Sequence, residues 1–180
     1  SKATVFAPEK QRGTCSVCGE EQTRESGTAL TAVVRLNVKS LTLQKNQSTK
    51  AVKVTMAEGD SVKSWTSSNK KIVTVDKNGK IKAGKKTGNA KITVTLKSGK
   101  KATLKVKVQS AKVKTTKITG LKTKLTLKKG KSLTLKPLVA PITSQEKVTY
   151  SSSNKKVAAV TKNGVVKGKK KGTATITVRS

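Results

Sequence analysis

One stretch of this chain is written twice. Residues 65–94 read WTSSNKKIVTVDKNGKIKAGKKTGNAKITV, and residues 150–178 read YSSSNKKVAAVTKNGVVKGKKKGTATITV. Asn69 and Asn154 stand 85 positions apart, as do Gly79 and Gly164, whereas Ile92 and Ile176 stand 84 apart. The register therefore survives, with one residue dropped in the lysine-rich turn. Solenoid repeats run about 20 to 50 residues, so a longer period reports whole small domains in tandem rather than one large fold.

Each copy reads as short strands broken by turns. Ile72, Val73 and Val75 match Val157, Ala159 and Val160. Each run meets an Asn-Gly pair, Asn78-Gly79 or Asn163-Gly164, which predicts a type I′ hairpin turn because both residues tolerate positive φ. A brief apolar pair and a Lys/Gly turn lead to an alternating strand, Ala90, Ile92, Val94 against Ala174, Ile176, Val178. Alternation with period two puts those side chains on one buried face and Lys or Thr on the wet one. No stretch places apolar residues at helical spacing. The prediction is all-β, in two copies.

Trp-x-Ser-Ser-Asn before a Val-rich strand, then Asn-Gly, then Lys-x-Gly-x-Ala-x-Ile-Thr-Val resembles the bacterial immunoglobulin-like group 2 domain. The resemblance runs from about Arg35 to the C-terminus, twice over. It implies two tandem immunoglobulin-like β-sandwiches, residues 35–110 and 111–180; ahead of them residues 1–34 differ in composition and read as two polar strands around Cys15 and Cys18, a Cys-x-x-Cys β-hairpin extension. It also implies a bacterial surface or secreted protein, adhesive or spacing, with other domains in the same polypeptide; the alternative is a polyanion- or carbohydrate-binding module accessory to a secreted hydrolase whose catalytic part lies elsewhere. Thr-Cys-x-Val-Cys-Gly ahead of such domains further resembles an N-terminal extension of Gram-positive surface proteins. Fold alone does not fix function.

Composition narrows the chemistry. The chain has no histidine, eight carboxylates, and one each of Trp, Tyr, Phe and Met. That is poor material for an oriented base or a metal cluster, so no catalytic residue, cofactor or enzyme activity is expected. No apolar run is long enough to span a bilayer, and no signal peptide opens the chain, as expected of a mature or excised fragment. A domain of about 75 residues buries only about 60% of its unfolded surface, so each copy is expected to be modestly stable.

The net charge of +33 lies in the two copies, since residues 1–34 balance Lys2, Lys10, Arg12 and Arg24 against Glu9, Glu20, Glu21 and Glu25. Such charge suits a polyanion: nucleic acid, anionic cell-wall polymer, sulfated or sialylated glycan, or a membrane surface. The lysines alternate with core positions, as in Leu104-Lys105-Val106-Lys107-Val108, so they are spread along the strands rather than clustered, which favours a solvated face. Specific nucleic-acid readers favour Arg and stacking aromatics, both scarce here. A weak, salt-sensitive affinity for anions is expected, and dedicated nucleic-acid binding is not. A host surface protein is the other partner class.

Cys15-Ser16-Val17-Cys18-Gly19 is half of a zinc knuckle, but a structural zinc needs four ligands and the chain supplies two. Metal could be held only between two chains, so none is expected. A disulfide clasp between Cys15 and Cys18, or two reduced thiols, remains. Glu58, Asp60 and Asp76 are too few and too dispersed for a calcium cage and read as turn residues. Trp65 and Tyr150 occupy equivalent positions. They could serve as sugar platforms, but the immunoglobulin-like sandwich puts its large aromatic in the core of a middle strand, and neither copy has a second aromatic.

The remaining elements follow in chain order. Leu36 to Leu43 starts the first sandwich and Leu121 to Leu127 the second. Val52, Val54 and Met56 are matched to Leu133 and Leu135 as the next strand, with Pro137 to Gln145 as a bridge. Gln109 to Thr116 reads as a short, semi-extended linker. Copy one continues past Leu96 into a partner strand, Ala102 to Val108, while copy two stops at Ser180. Copy two is therefore expected to lack its last strand. Either the sequence boundary falls early, which is favoured, or a neighbouring chain supplies the strand.

Overall fold

Side-chain alternation builds the largest sheet. In the computed structural model, which describes residues 2–180, the chain divides into two compact units, Ser1–Ser110 and Ala111–Ser180. Both are all-β; among the described residues no helix is long and apolar enough to cross a membrane.

The first unit opens with β1 (Glu9–Thr14) and β2 (Glu21–Ser26), an antiparallel hairpin in register from Glu9 opposite Ser26 to Thr14 opposite Glu21. Its strands are polar and solvent-exposed almost throughout, so its own ladder holds it together rather than a core. The flanking segments are anchored: the Val5 N–H donates to the Glu58 carbonyl at 3.2 Å and the Leu30 N–H to the Thr4 carbonyl at 2.8 Å.

The sandwich follows with β3 (Val34–Leu36), β4 (Ser40–Gln44), β5 (Ser48–Thr49), β6 (Val54–Met56), β7 (Val62–Ser67), β8 (Val73–Val75), β9 (Ile81–Ala83), β10 (Gly88–Leu96) and β11 (Lys101–Gln109). One sheet has the order β4-β11-β10-β7; the other layer is β5-β9-β8 with the pair β3-β6. β10 and β11 form the predicted hairpin, Ile92 opposite Leu104, and β11 pairs in parallel with β4, Val106 beside Leu41. Ala90, Ile92, Val94 and Leu96 of β10 point inward with Leu104, Val106 and Val108 of β11, joining Leu41, Leu43, Val73 and Ile81 in a closed core. Burying each such side chain stabilises the fold by about 1.5–3 kcal/mol.

The second unit repeats the plan with a gap. Its strands are β12 (Lys117–Thr119), β13 (Ser132–Thr134), β14 (Leu138–Ala140), β15 (Thr149–Ser152), β16 (Ala158–Val160), β17 (Val165–Gly168) and β18 (Ile176–Arg179). They form β12-β14, β13-β17-β16 and β15-β18. Residues 121–127 carry no strand, although their counterparts in the first unit are β4. The reason is non-local: β4 exists by pairing with β11, and among the described residues no strand occupies that place in the second unit. The expectation of a strand at Leu121 to Leu127 is corrected accordingly. The buried apolar set reflects the gap, fourteen residues in the first unit against Val113 and Val166 in the second.

Two smaller assignments also change. Leu138–Ala140, expected as part of a bridge, is the strand that answers Val54–Met56: β14 pairs with β12 as β6 pairs with β3. Of the residues expected in the linker, Val113 to Thr116 are tied into the second unit, the Thr116 N–H donating to the Ala140 carbonyl at 2.7 Å and the Val113 N–H to Gln145 Oε1 at 3.1 Å.

The Asn-Gly turns are not type I′. Gly79 has φ +73 and Gly164 has φ +76, but neither Asn78 nor Asn163 has positive φ. Each is a type I turn closed by a left-handed glycine, the Gly79 N–H donating to the Asp76 carbonyl at 3.0 Å. Asp76 Oδ1 holds it by accepting from the Asn78 and Lys80 N–H groups at 2.8 and 2.9 Å. Thr161 takes the same place in the second copy, its Oγ1 accepting from the Val165 N–H at 3.2 Å.

Candidate functional site

The repeat glycine does a second job at the aromatic. A Cβ on Gly79 would lie 3.1 Å from Trp65 Cζ2, and one on Gly164 would lie 2.8 Å from Tyr150 Cζ. Each ring therefore rests on the bare backbone of its turn. Trp65 faces inward opposite Val94, but β7 is the edge of its sheet rather than a middle strand, and the ring is half-buried. Tyr150 sits alike, opposite Val178 and half-buried. A ring clamped against a turn is a poor flat platform for a sugar.

The outer face of β4-β11-β10-β7 brings several lysines side by side. The register sets Lys91 directly opposite Lys105, Asn89 opposite Lys107 and Thr95 opposite Lys101. Thr93 and Thr103 hydroxyls share a hydrogen bond of 3.2 Å, and Lys105 and Lys107 lie beside Ser40 and Thr42 of β4. Lysines directly opposite each other repel at a Cβ separation of about 4.5–5.5 Å. With 41 basic and eight acidic residues in the chain, at least 33 cations have no carboxylate to pair with. A bound anion would relieve that repulsion, and the Lys and Thr donors suit sulfate, carboxylate or phosphate oxygens. Sequence reading saw the lysines as evenly spread, since the Lys91–Lys105 juxtaposition exists only once two strands are in register.

The cysteines sit at the tip of the β1–β2 hairpin as free thiols, Cys15 partly exposed and Cys18 exposed. The Cys15 N–H donates to the Glu20 carbonyl at 2.8 Å, and the Gly19 N–H returns to the Cys15 carbonyl at 2.9 Å. The Cys18 N–H, donating to Cys15 Sγ at 3.5 Å, favours the thiolate; with the Cys18 thiol and the Val17 N–H it draws the Cys15 pKa from 9.0 to about 7. The carboxylates are dispersed. Asp60 accepts from the Ser61 N–H at 2.8 Å and from the Ser98 hydroxyl, closing two loops 38 residues apart in sequence. Among the described residues no three metal-ligating side chains gather.

Comparison with known proteins comes to the same architecture. The family model described as bacterial Ig-like domain (group 2) matches residues 31–106 and again 112–180. The kappa-carrageenase of Pseudoalteromonas carrageenovora is 59% identical over 58 residues, a stretch covering 32% of this chain and 15% of that enzyme. The likeness is thus confined to a small part of the relative.

Proposed function

This chain belongs to the bacterial Ig-like domain (group 2) family in both of its units, and from that premise we propose that it is a non-catalytic accessory module of an extracellular bacterial protein. It spaces or displays other domains of the same polypeptide, at the cell surface or in a secreted protein, with adhesion as the finer role. The tandem family match carries this reading. The likeness to a short part of the kappa-carrageenase supports it, because such a module then stands beside catalytic parts without being one.

A second reading is favoured by the face around Lys91, Lys105 and Lys107: a binding module for a polyanionic glycan or anionic cell-wall polymer. Affinity electrophoresis separates the two, with kappa-carrageenan, teichoic acid and neutral dextran in the gel at low and at physiological salt. A spacer is retarded by the polyanions only at low salt, because the Debye length shrinks to about 8 Å at physiological ionic strength. Retention of one polymer at physiological salt, lost in Lys91→Ala/Lys105→Ala, would instead establish the binding module.

A further inference from the structure

We propose that one end of each sandwich is an anion site, built from three lysine-bearing loops, that takes a glycan carrying sulfate or phosphate ester groups. It goes beyond the spacer reading and does not require the sheet face around Lys91 and Lys105 to bind.

The loops are clasped by their own backbones. In the first unit they join β4 to β5, β7 to β8 and β9 to β10. The last lies between the other two: the Ala83 N–H donates to the Gln47 carbonyl at 2.9 Å and the Gly84 N–H to the Ile72 carbonyl at 2.8 Å. Lys45, Lys70, Lys71, Lys85 and Lys86 are thereby gathered at one end, all exposed. Their backbones are preset, Asn46 with φ +64 and Asn69 Oδ1 accepting from the Lys71 N–H at 3.0 Å.

The second unit makes the same contacts at the equivalent positions. The Gly168 N–H donates to the Lys131 carbonyl at 3.0 Å and the Lys169 N–H to the Val157 carbonyl at 2.8 Å. Gly130 takes the left-handed place with φ +78, and Asn154 Oδ1 accepts from the Lys156 N–H at 3.0 Å. Lys155-Lys156 and Lys170-Lys171 stand where Lys70-Lys71 and Lys85-Lys86 do. The sheet face is not repeated in this way, since Thr175 stands where Lys91 does. The loop end is what the two copies share.

No carboxylate lies in any of these loops. Outside residues 1–34 the chain has Glu58, Asp60, Asp76 and Glu146, all at the opposite ends of their strands. Glu58 and Asp60 precede β7 and Glu146 precedes β15, whereas the lysine loops follow those strands; Asp76 follows β8, which a lysine loop precedes. The loop lysines therefore repel one another with no counter-charge of their own, and a bound anion relieves that. Arginine, whose planar fork matches a carboxylate, is missing from the loops, and lysine reads an anion as a point charge. A sulfate or phosphate monoester offers three terminal oxygens to three loops, where a carboxylate offers two. The loops hold no aromatic on which a base would stack.

The test titrates the whole 180-residue protein at physiological salt with dextran sulfate, phosphorylated dextran, carboxymethyl dextran and plain dextran. The loop variant carries Lys70→Glu, Lys85→Glu, Lys155→Glu and Lys170→Glu. A control of identical net charge carries Lys77→Glu, Lys97→Glu, Lys147→Glu and Lys162→Glu. Unfolding followed at Trp65 and Tyr150 checks that both variants fold. Binding of either ester polymer supports the site and names the ester; the loop variant should weaken it at least about tenfold, and the control less than about threefold. In the unmodified protein the bound polymer should slow acetylation of Lys70 and Lys85 but not of Lys77 and Lys97. Equal losses in the two variants would mean general attraction to charge and overturn the proposal. So would no binding, equal binding of carboxymethyl dextran, or acetylation slowed alike at all four lysines. A loss found only in Lys91→Ala/Lys105→Ala would also overturn it, while leaving the sheet-face reading in place.

Discussion

Ile92 and Ile176 are the same residue of the repeat in two different surroundings. Ile92 is fully buried on β10, with Ser67 of β7 on one side and Leu104 of β11 on the other. Ile176 is only half-buried, opposite Ser152 on β15, with the open edge on its other side. Ile→Ala removes three carbons, worth about 0.8 kcal/mol each when buried, or roughly 2.4 kcal/mol. At Ile92 the surrounding core cannot fully collapse, and a residual void of about 50 Å³ at about 24 cal/mol per Å³ adds roughly 1.2 kcal/mol. The expected cost of Ile92→Ala is thus about 3.5 kcal/mol. At Ile176 about half the transfer term applies and no closed void forms, giving roughly 1 kcal/mol. Urea titration reads the units separately, because the one Trp lies in the first and the one Tyr in the second. Ile92→Ala should move the Trp65 transition far more than Ile176→Ala moves the Tyr150 transition. Equal losses, or the larger loss at Ile176, would refute the reasoning and mean that the second core is closed.

Gly79→Ala should destabilise the first unit by about 1–2 kcal/mol from the left-handed backbone alone, and should red-shift Trp65 fluorescence as the ring is pushed from its seat. Asp60 is pushed up by partial desolvation, but hydrogen bonds from Ser98, Ser61 and Lys97 outweigh that and hold its pKa below the ordinary 3.8. A depressed folded pKa stabilises above the unfolded value and is lost as pH falls through the folded one. Asp60→Asn should therefore flatten the loss of first-unit stability below about pH 4, as read by urea midpoints at stepped pH. At pH 7, iodoacetamide should alkylate Cys15 faster than Cys18, with a rate profile centred near the Cys15 pKa of about 7. Identical rates followed by mass spectrometry would contradict the hydrogen-bonded thiolate.

The sequence made local features plain because local patterns encode them. The β10–β11 hairpin follows from the alternation of Ala90, Ile92 and Val94 around a short Ser-Gly turn, and the tandem plan follows from the repeat itself. What depended on distant partners was not legible. Residues 121–127 carry the same alternation as their counterparts in β4 yet form no strand, because a parallel strand needs a neighbour that lies far along the chain. Asp60 reaching Ser98, and Lys91 meeting Lys105, likewise exist only in three dimensions. The Asn-Gly turns were misread for a subtler reason. Asp76 and Thr161, just upstream, cap a type I turn and leave only the glycine at positive φ.

The parallel pairing of β4 with β11 has a mechanical consequence. Pulled by its two ends, the first sandwich draws β4 back toward Ser40 and β11 forward toward Gln109, in opposite directions along a ladder of five register pairs. Those pairs are loaded in shear and must give together, rather than peeling open one by one. The second unit has no parallel pair among its described strands. Under stretching, the first sandwich is the clamp and the second the part that yields first, which single-molecule extension would record as two unequal rupture forces.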